Sequence, residues 1–291
     1  MRKFFWSAAR CSCHSGATEQ GTRIGGRVPY VTIKNSPLAR RTVELHYREF
    51  GSGIPLVFLH GGWGYHIYPI NKQLHSLKNY RVLIPDRSGY GLSPKPADFG
   101  LDFHIRAAEE TFGFLDALGI RDAVLWGHSD GAVIAAWFGL MAPERCRGLI
   151  LEAFHYYRRK TASREFFEAM VAAPESFGER VSSVLAHEHG EGYWQELLQT
   201  EGRTWLDIAK EADSGPEDLY NGRLRELRVP ATFIHGACDP RTDPGELAAI
   251  QEELPSAEIR MIDAGEHCPH NESKVAEMFT QELLHALSRC R

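Results

Sequence analysis

The stretch that most constrains this chain is Gly127-His128-Ser129-Asp130-Gly131. A short apolar run, Ala123-Val124-Leu125-Trp126, precedes it, and a longer one, Ala132 to Phe138, follows. The first reads as a buried strand and the second as the opening of a helix. A G-x-S-x-G segment between strand and helix demands a turn so tight that the serine backbone is strained and the residues two away must be small. Gly127 and Gly131 meet that demand. The serine hydroxyl is pushed out at the top of a sheet, in front of a helix N-terminus whose free N–H groups suit an anion.

The flanking chain supplies the alternation such a turn needs. Residues 1–27 read as a disordered tail. Val28 to Lys34 and Thr42 to Phe50 alternate apolar and polar residues and read as two opening, antiparallel strands. Leu56 to Leu59 is a continuous apolar run, as in a strand covered on both faces, and ends in His60-Gly61-Gly62-Trp63-Gly64. A helix is expected over Pro69–Leu77, a strand over Arg81–Pro85 and a helix over Phe103–Leu118. Cys146 to Leu151 reads as the strand after the Ser129 unit. From 154 to 228 the pattern turns to amphipathic helices rich in charge and aromatics, read as an inserted helical cap. Strands resume at Val229–Ile234 and Ala257–Ile262, with helices at Leu247–Leu254 and Ser273–Leu287. The core therefore comprises 28–153 and 229–291, and the alternation implies a mainly parallel sheet covered on both sides.

Composition narrows the function. With 291 residues, 43% of them hydrophobic, the chain can build a sizeable α/β core. A net charge of −5 with no dominant basic patch argues against nucleic acid as a partner. Six scattered cysteines form no disulfide framework and read as reduced thiols. No run is apolar enough to span a bilayer. The expected location is the cytoplasm, with mitochondrial targeting as the alternative suggested by a basic start free of acids before Glu19. Cys11-Ser12-Cys13-His14 lacks a second ligand pair and reads as coil, and no metal or cofactor is called for.

A serine hydroxyl is a poor nucleophile at neutral pH unless a base takes its proton, a carboxylate orients that base and donors hold the oxyanion. Ser129 is the candidate nucleophile. Asp239 follows the Ala231–Ile234 strand and His267 follows the Ala257–Ile262 strand, both at carboxyl ends, where sites form in such sheets. The backbone N–H groups of Gly62 and Asp130 are the candidate oxyanion donors. His270 rivals His267 as base, and Asp243 and Glu152 rival Asp239 as its partner.

His60-Gly61-Gly62, Asp86-Arg87-Ser88-Gly89-Tyr90-Gly91-Leu92-Ser93, Gly127-His128-Ser129-Asp130-Gly131, Gly236-Ala237-Cys238-Asp239 and Gly265-Glu266-His267 stand in the order of one family. From about Val28 to Leu287 the chain resembles α/β-hydrolase-fold serine hydrolases. The resemblance implies a mostly parallel sheet of about eight strands with a helical cap after the sixth. It also implies catalysis by Ser129, Asp239 and His267 through an acyl-enzyme. The narrower likeness is to the biphenyl-hydrolase-like and valacyclovir-hydrolase-like small esterases. There an acidic residue beside the nucleophile attracts a substrate amine, and Asp130 is the matching position. Relatives with an aspartate nucleophile, the haloalkane dehalogenases and soluble epoxide hydrolases, fit less well, because Asp130 stands one position too late.

The expected activity is hydrolysis of a small carboxylic ester, with an amine-bearing ester as the variant that Asp130 suggests, and with Trp63 and Asp130 against the substrate. Amide, lactone and carbon–carbon bond hydrolysis use the same triad. A non-catalytic receptor for a small ligand on this fold is the reading from another class. Asp86, Arg87 and His60 read as loop-ordering residues, and His128 as packed beneath the turn. Cys268 has no derived role. His187-Glu188-His189 has i, i+2 spacing rather than the i, i+4 of a helical zinc site, and reads as a solvated cap segment.

Overall fold

The computed structural model describes residues 29–96 and 98–290. The tail reading for 1–27, its targeting alternative and the Cys11–His14 segment lie outside these residues. Among the described residues eight strands are formed: β1 Tyr30–Ser36, β2 Arg41–Gly51, β3 Ile54–Leu59, β4 Tyr80–Pro85, β5 Ala123–His128, β6 Cys146–Glu152, β7 Ala231–Gly236 and β8 Glu258–Ile262. They make one sheet in the order β1-β2-β4-β3-β5-β6-β7-β8. β1 pairs antiparallel with β2, and β2 with β4; every other neighbouring pair is parallel. This is the architecture that the family resemblance implies.

The helices are α1 Asn71–Leu74, α2 Phe103–Ala117, α3 Asp130–Met141, α4 Arg164–Ala172, α5 Glu179–His189, α6 Trp194–Glu211, α7 Glu246–Glu253 and α8 Ala276–Arg289. Every residue of β5 is buried, because neighbouring strands flank it and helices cover both faces. That is why it reads as an uninterrupted apolar run. On one face the core joins Leu59, Leu125 and Leu151 to Val133, Phe138 and Phe114 of α3 and α2. On the other, Phe279, Leu283 and Leu287 of α8 pack on Phe58, Trp126 and Ile150. Each such buried side chain contributes roughly 1.5–3 kcal/mol, so the strand ends that carry the site rest on a stiff base.

Two expectations shift. The helix expected over Pro69–Leu77 is a single turn, α1, followed by three-residue turns in which Ser76 N donates to Gln73 O and Leu77 N to Leu74 O. The buried Gln73 amide is drawn away to the His270 carbonyl and the Thr280 hydroxyl. β7 begins at Ala231 rather than Val229, since Pro230 has no N–H for the ladder and only its carbonyl pairs, with Leu149 N. Among the described residues no helix is long and apolar enough to cross a membrane.

Candidate active site

Ser129 joins β5 to α3 at φ 54° and ψ −121°, a strained conformation for a residue with a side chain. A Cβ on Gly127 would overlap the Gly131 carbonyl, and one on Gly131 would overlap the Leu59 carbonyl. The two glycines are thus required by backbone running against backbone. Ser129 N donates to Glu152 O at 2.9 Å, fastening the turn to the end of β6.

The loops after β7 and β8 bring two further groups to this turn. His267 Nε2 lies 3.2 Å from Ser129 Oγ. His267 Nδ1 lies 2.9 Å and 3.1 Å from the two Asp239 oxygens. Burial opposes ionisation of Asp239, but the facing His267 and the Arg241 amide hold its carboxyl well below the usual range. His267 is pushed below 6.5 chiefly by burial, with Asp239 opposing and Arg241 assisting. A neutral imidazole therefore faces the serine, its Nδ1–H turned to a carboxylate.

The rival residues are engaged elsewhere. Asp243 takes the Ala162 amide at 2.8 Å and lies 3.0 Å from the buried Lys160 ammonium, which also pairs with Glu246. Glu152 Oε1 accepts His270 Nδ1–H at 2.7 Å, and Oε2 accepts the Trp126 indole N–H at 3.1 Å. The other ring nitrogen of His270 donates to Tyr68 O at 2.9 Å. Burial disfavours the charged ring, yet Glu152 and these bonds raise His270 above its ordinary value. His128 packs under the turn, its Nε2 3.1 Å from the His267 carbonyl and 3.3 Å from Cys268 Sγ. His128, Glu152 and His270 place potential ligand atoms within 4.8 Å of one another. A cation there would have to displace the protein partners just described.

The loop after β3 forms the facing wall. Arg87 donates to the His60 carbonyl and, at 3.3 Å, to the Gly61 carbonyl, and so pins the loop from below. Asp86 is held by His46, Arg48 and the Leu92 amide. Gly62 sits beside the turn, and Asp130 opens α3, where its amide has no intrahelical acceptor.

The helical segment between β6 and β7 covers this centre. Phe166 and Phe167 of α4 and Glu201 and Trp205 of α6 line a cavity together with Gly62, Trp63, Ser129, Asp130, His155, Arg241 and His267. Trp63 is buried and stacks on Phe166, with ring centroids 5.2 Å apart. Asp130 Oδ1 accepts the Trp205 indole N–H at 3.1 Å and lies 3.3 Å from His104 Nε2. Its carboxyl also hydrogen-bonds the Glu201 carboxyl. Burial and Asp130 push Glu201 well above the usual carboxylate range, whereas Asp130, despite its burial, is lowered by His104. Burial and the facing carboxylate thus favour the protonated form of Glu201 beside Asp130, which His104 holds toward its ionised form.

Three residues of this site escape the sequence reading. His155 lies 3.2 Å from Ser129 Oγ through Nε2. Its place three residues beyond β6, at a strand's carboxyl end, is the signal that could have found it. Glu201 is one; it occupies the buried face of α6 with Leu197, Leu198, Trp205 and Ile208. A carboxylate at a core-facing position is itself a flag. Arg241 lies over the Phe166 ring at 3.7 Å. His187-Glu188-His189 departs from the expected solvated cap segment. Glu188 and His189 are buried rather than solvated. Glu188 accepts the Tyr65 and His66 amides at 2.7 and 2.9 Å. His189 Nδ1 accepts the Gly91 amide at 2.9 Å, and its Nε2–H donates to Trp63 O at 3.1 Å. The segment clamps α5 onto the loops after β3 and β4.

The family model described as the alpha/beta hydrolase family matches residues 56–279, more than three quarters of the chain. The chain belongs to the alpha/beta hydrolase family. Its first curated relatives match over well under half their length. An epoxide hydrolase of Caballeronia sordidicola is 35% identical over 119 residues, 40% of this chain and 36% of that one. The mouse serine hydrolase BPHL is similar over far more, 24% identical across 243 residues, 82% of this chain and 81% of its own. Among solved structures, an epoxide hydrolase of Bacillus megaterium with its diol product superposes with a TM-score of 0.67 at 22% identity, covering 89% of this chain and all of that one. A likeness at that identity speaks for the fold of this alpha/beta hydrolase and leaves its chemistry to the site.

Proposed function

We propose that this alpha/beta hydrolase cleaves small carboxylic esters through an acyl-enzyme on Ser129. The observation that carries the reading is the hydrogen-bonded chain from Asp239 through His267 to Ser129 Oγ, ending at a strained turn whose reactive position holds serine. An epoxide hydrolase of the kind that uses aspartate would need the carboxylate at 129, whereas Asp130 is turned to Trp205 and Glu201.

In this mechanism His267 accepts the Ser129 proton as Oγ attacks the ester carbonyl. Asp239 keeps the ring in the Nδ1–H tautomer and stabilises the imidazolium that forms. The Gly62 and Asp130 amides receive the negative charge that develops on the carbonyl oxygen. His267 then protonates the departing alkoxide, and water attacks the acyl-enzyme by the same route in reverse. Residues 154–228 act as a cap that supplies the substrate wall, with Trp63, Phe166 and Phe167 packing on the apolar part. Asp130, held toward its ionised form beside Glu201, favours a substrate that presents a positive group to that side.

The test is reaction of the intact protein with a fluorophosphonate, read by mass spectrometry, beside Ser129→Ala. One adduct on the wild type that is lost in the variant, with turnover of short p-nitrophenyl esters, supports the reading. Turnover of lactones or amides in preference to esters would change the substrate class and keep the triad. A folded wild type that takes no adduct would overturn the reading and favour a ligand-binding role for the cavity.

A further inference from the structure

Ser129 Oγ has two imidazoles within hydrogen-bond reach, and the triad uses only one. His155 Nε2 lies 3.2 Å from Oγ, the same separation as His267 Nε2. The two rings are nearly parallel, 12° apart with centroids 5.8 Å apart. His155 is buried, set edge-on to Trp205, and its backbone carbonyl accepts the Tyr220 hydroxyl at 3.0 Å. Its Nδ1 is buried without a hydrogen-bond partner among the described residues.

The tautomer follows from counting protons. Asp239 takes the Nδ1–H of His267, so His267 presents a bare Nε2 to the serine. The serine has one proton to give. With His155 protonated on Nδ1, that N–H would be buried and unpaired, and two bare nitrogens would compete for one hydroxyl proton. With His155 protonated on Nε2, Ser129 donates to His267 and accepts from His155, and only a bare Nδ1 lone pair is left over. Leaving a buried N–H unpaired costs about 1–3 kcal/mol, so the second arrangement prevails. The His155 ring stays neutral, since burial and then the nearby Lys160 depress it well below 6.5.

We propose that His155 is a second catalytic histidine, which donates its Nε2–H to Ser129 Oγ and thereby directs the serine proton to His267. The donor also steadies Oγ whenever it carries negative charge, as the proton leaves in acylation and as the acyl-enzyme breaks down. The inference rests on the serine hydrolase reading above and adds a residue to it.

Two variants and one spectrum test it. His155→Phe keeps a ring of similar size and removes the donor; His155→Gln offers an amide N–H at a similar reach. Phe is expected to slow fluorophosphonate labelling and kcat by roughly 10–100-fold, the worth of one hydrogen bond to a charged atom. KM and melting temperature should hold, and Gln should recover part of the rate. Labelling of the Phe variant at the wild-type rate would overturn the proposal, as would equal losses in both variants. A long-range proton–nitrogen spectrum of the resting wild type should show His155 protonated on Nε2; protonation on Nδ1 would overturn it. The spectrum decides His155 even if the wild type takes no label, a result that refutes the hydrolase reading instead.

Discussion

Replacing Glu188 by glutamine should change how stability depends on pH, because Glu188 makes a contribution whose pH slope is opposite to that of ordinary acid unfolding. Glu188 is buried on α5 and accepts the Tyr65 and His66 amides. Burial outweighs those two bonds and pushes its carboxyl from 4.5 up to about 7. The folded protein thus holds this proton more tightly than the unfolded chain does. The benefit is fully present below pH 4.5 and is lost as pH rises toward and past 7. At 1.36 kcal/mol per pH unit, the difference between 4.5 and 7 is worth about 3 kcal/mol. Glutamine does not titrate, but one of the two amides then faces its NH2 group, which adds a cost independent of pH. Urea unfolding of both proteins from pH 4 to 8 separates the two parts. The stability of Glu188→Gln relative to the wild type should rise by about 3 kcal/mol across that range. Groups such as Asp239 and Asp86, held low in the fold, slope the other way but cancel in the difference. A flat difference, or one that falls with pH, would refute the burial argument.

Other outcomes follow from the same geometry. Gly62→Ala would drive a Cβ into Glu201 Oε1 and to 2.7 Å from Asp130 Oδ2. Displacing that loop should lower kcat on a p-nitrophenyl ester by about 100–1000-fold, the worth of one oxyanion donor, and unchanged kcat would remove Gly62 from that role. His267 sits below 6.5, so activity should be full where the ring is neutral and fall as pH drops through a midpoint under 6.5. A kcat/KM profile whose acid limb lies above 6.5 would contradict this. Asp239→Asn should leave circular dichroism unchanged and cut turnover by about 10⁴-fold, through the wrong His267 tautomer. Gly131→Ala should fail to yield folded protein, because its methyl group would overlap the Leu59 carbonyl; soluble protein with a wild-type melting curve would argue against the tight turn.

The sheet is legible in the sequence because parallel strands covered on both faces cannot alternate. Leu56–Leu59 and Ala123–Trp126 announce themselves as apolar runs, and each ends at glycines where the chain must turn. Ser129 and Asp239 are legible for a related reason, since each leaves the carboxyl end of a buried run, and His267 follows the alternating, half-exposed edge strand β8. His155 also leaves a strand end, but no glycine or motif surrounds it, and the aromatic run Phe154-His155-Tyr156-Tyr157 hides it as packing. Glu188 and His189 look solvated because charged residues on a helix usually are. Their partners are backbone amides and a carbonyl on loops more than ninety residues away, which no local pattern encodes. Glu201 is paired with Asp130 across 71 positions (201 − 130), and only the folded cavity makes one carboxyl the proton partner of the other.

Glu152 ties together parts of the chain that diverge in sequence. Its carbonyl holds the Ser129 amide, one carboxylate oxygen holds Trp126, and the other holds the His270 end of the segment carrying His267. The separation of Ser129 and His267 is therefore referenced to a single residue rooted in the sheet. The aromatic wall comes from α4 and α6, which take no part in that reference. Substitutions at Phe166 or Phe167 can reshape what the cavity admits while the spacing of the reacting atoms stays put. For an engineer, selectivity and rate are separate dials on this scaffold, provided Glu152 is left alone.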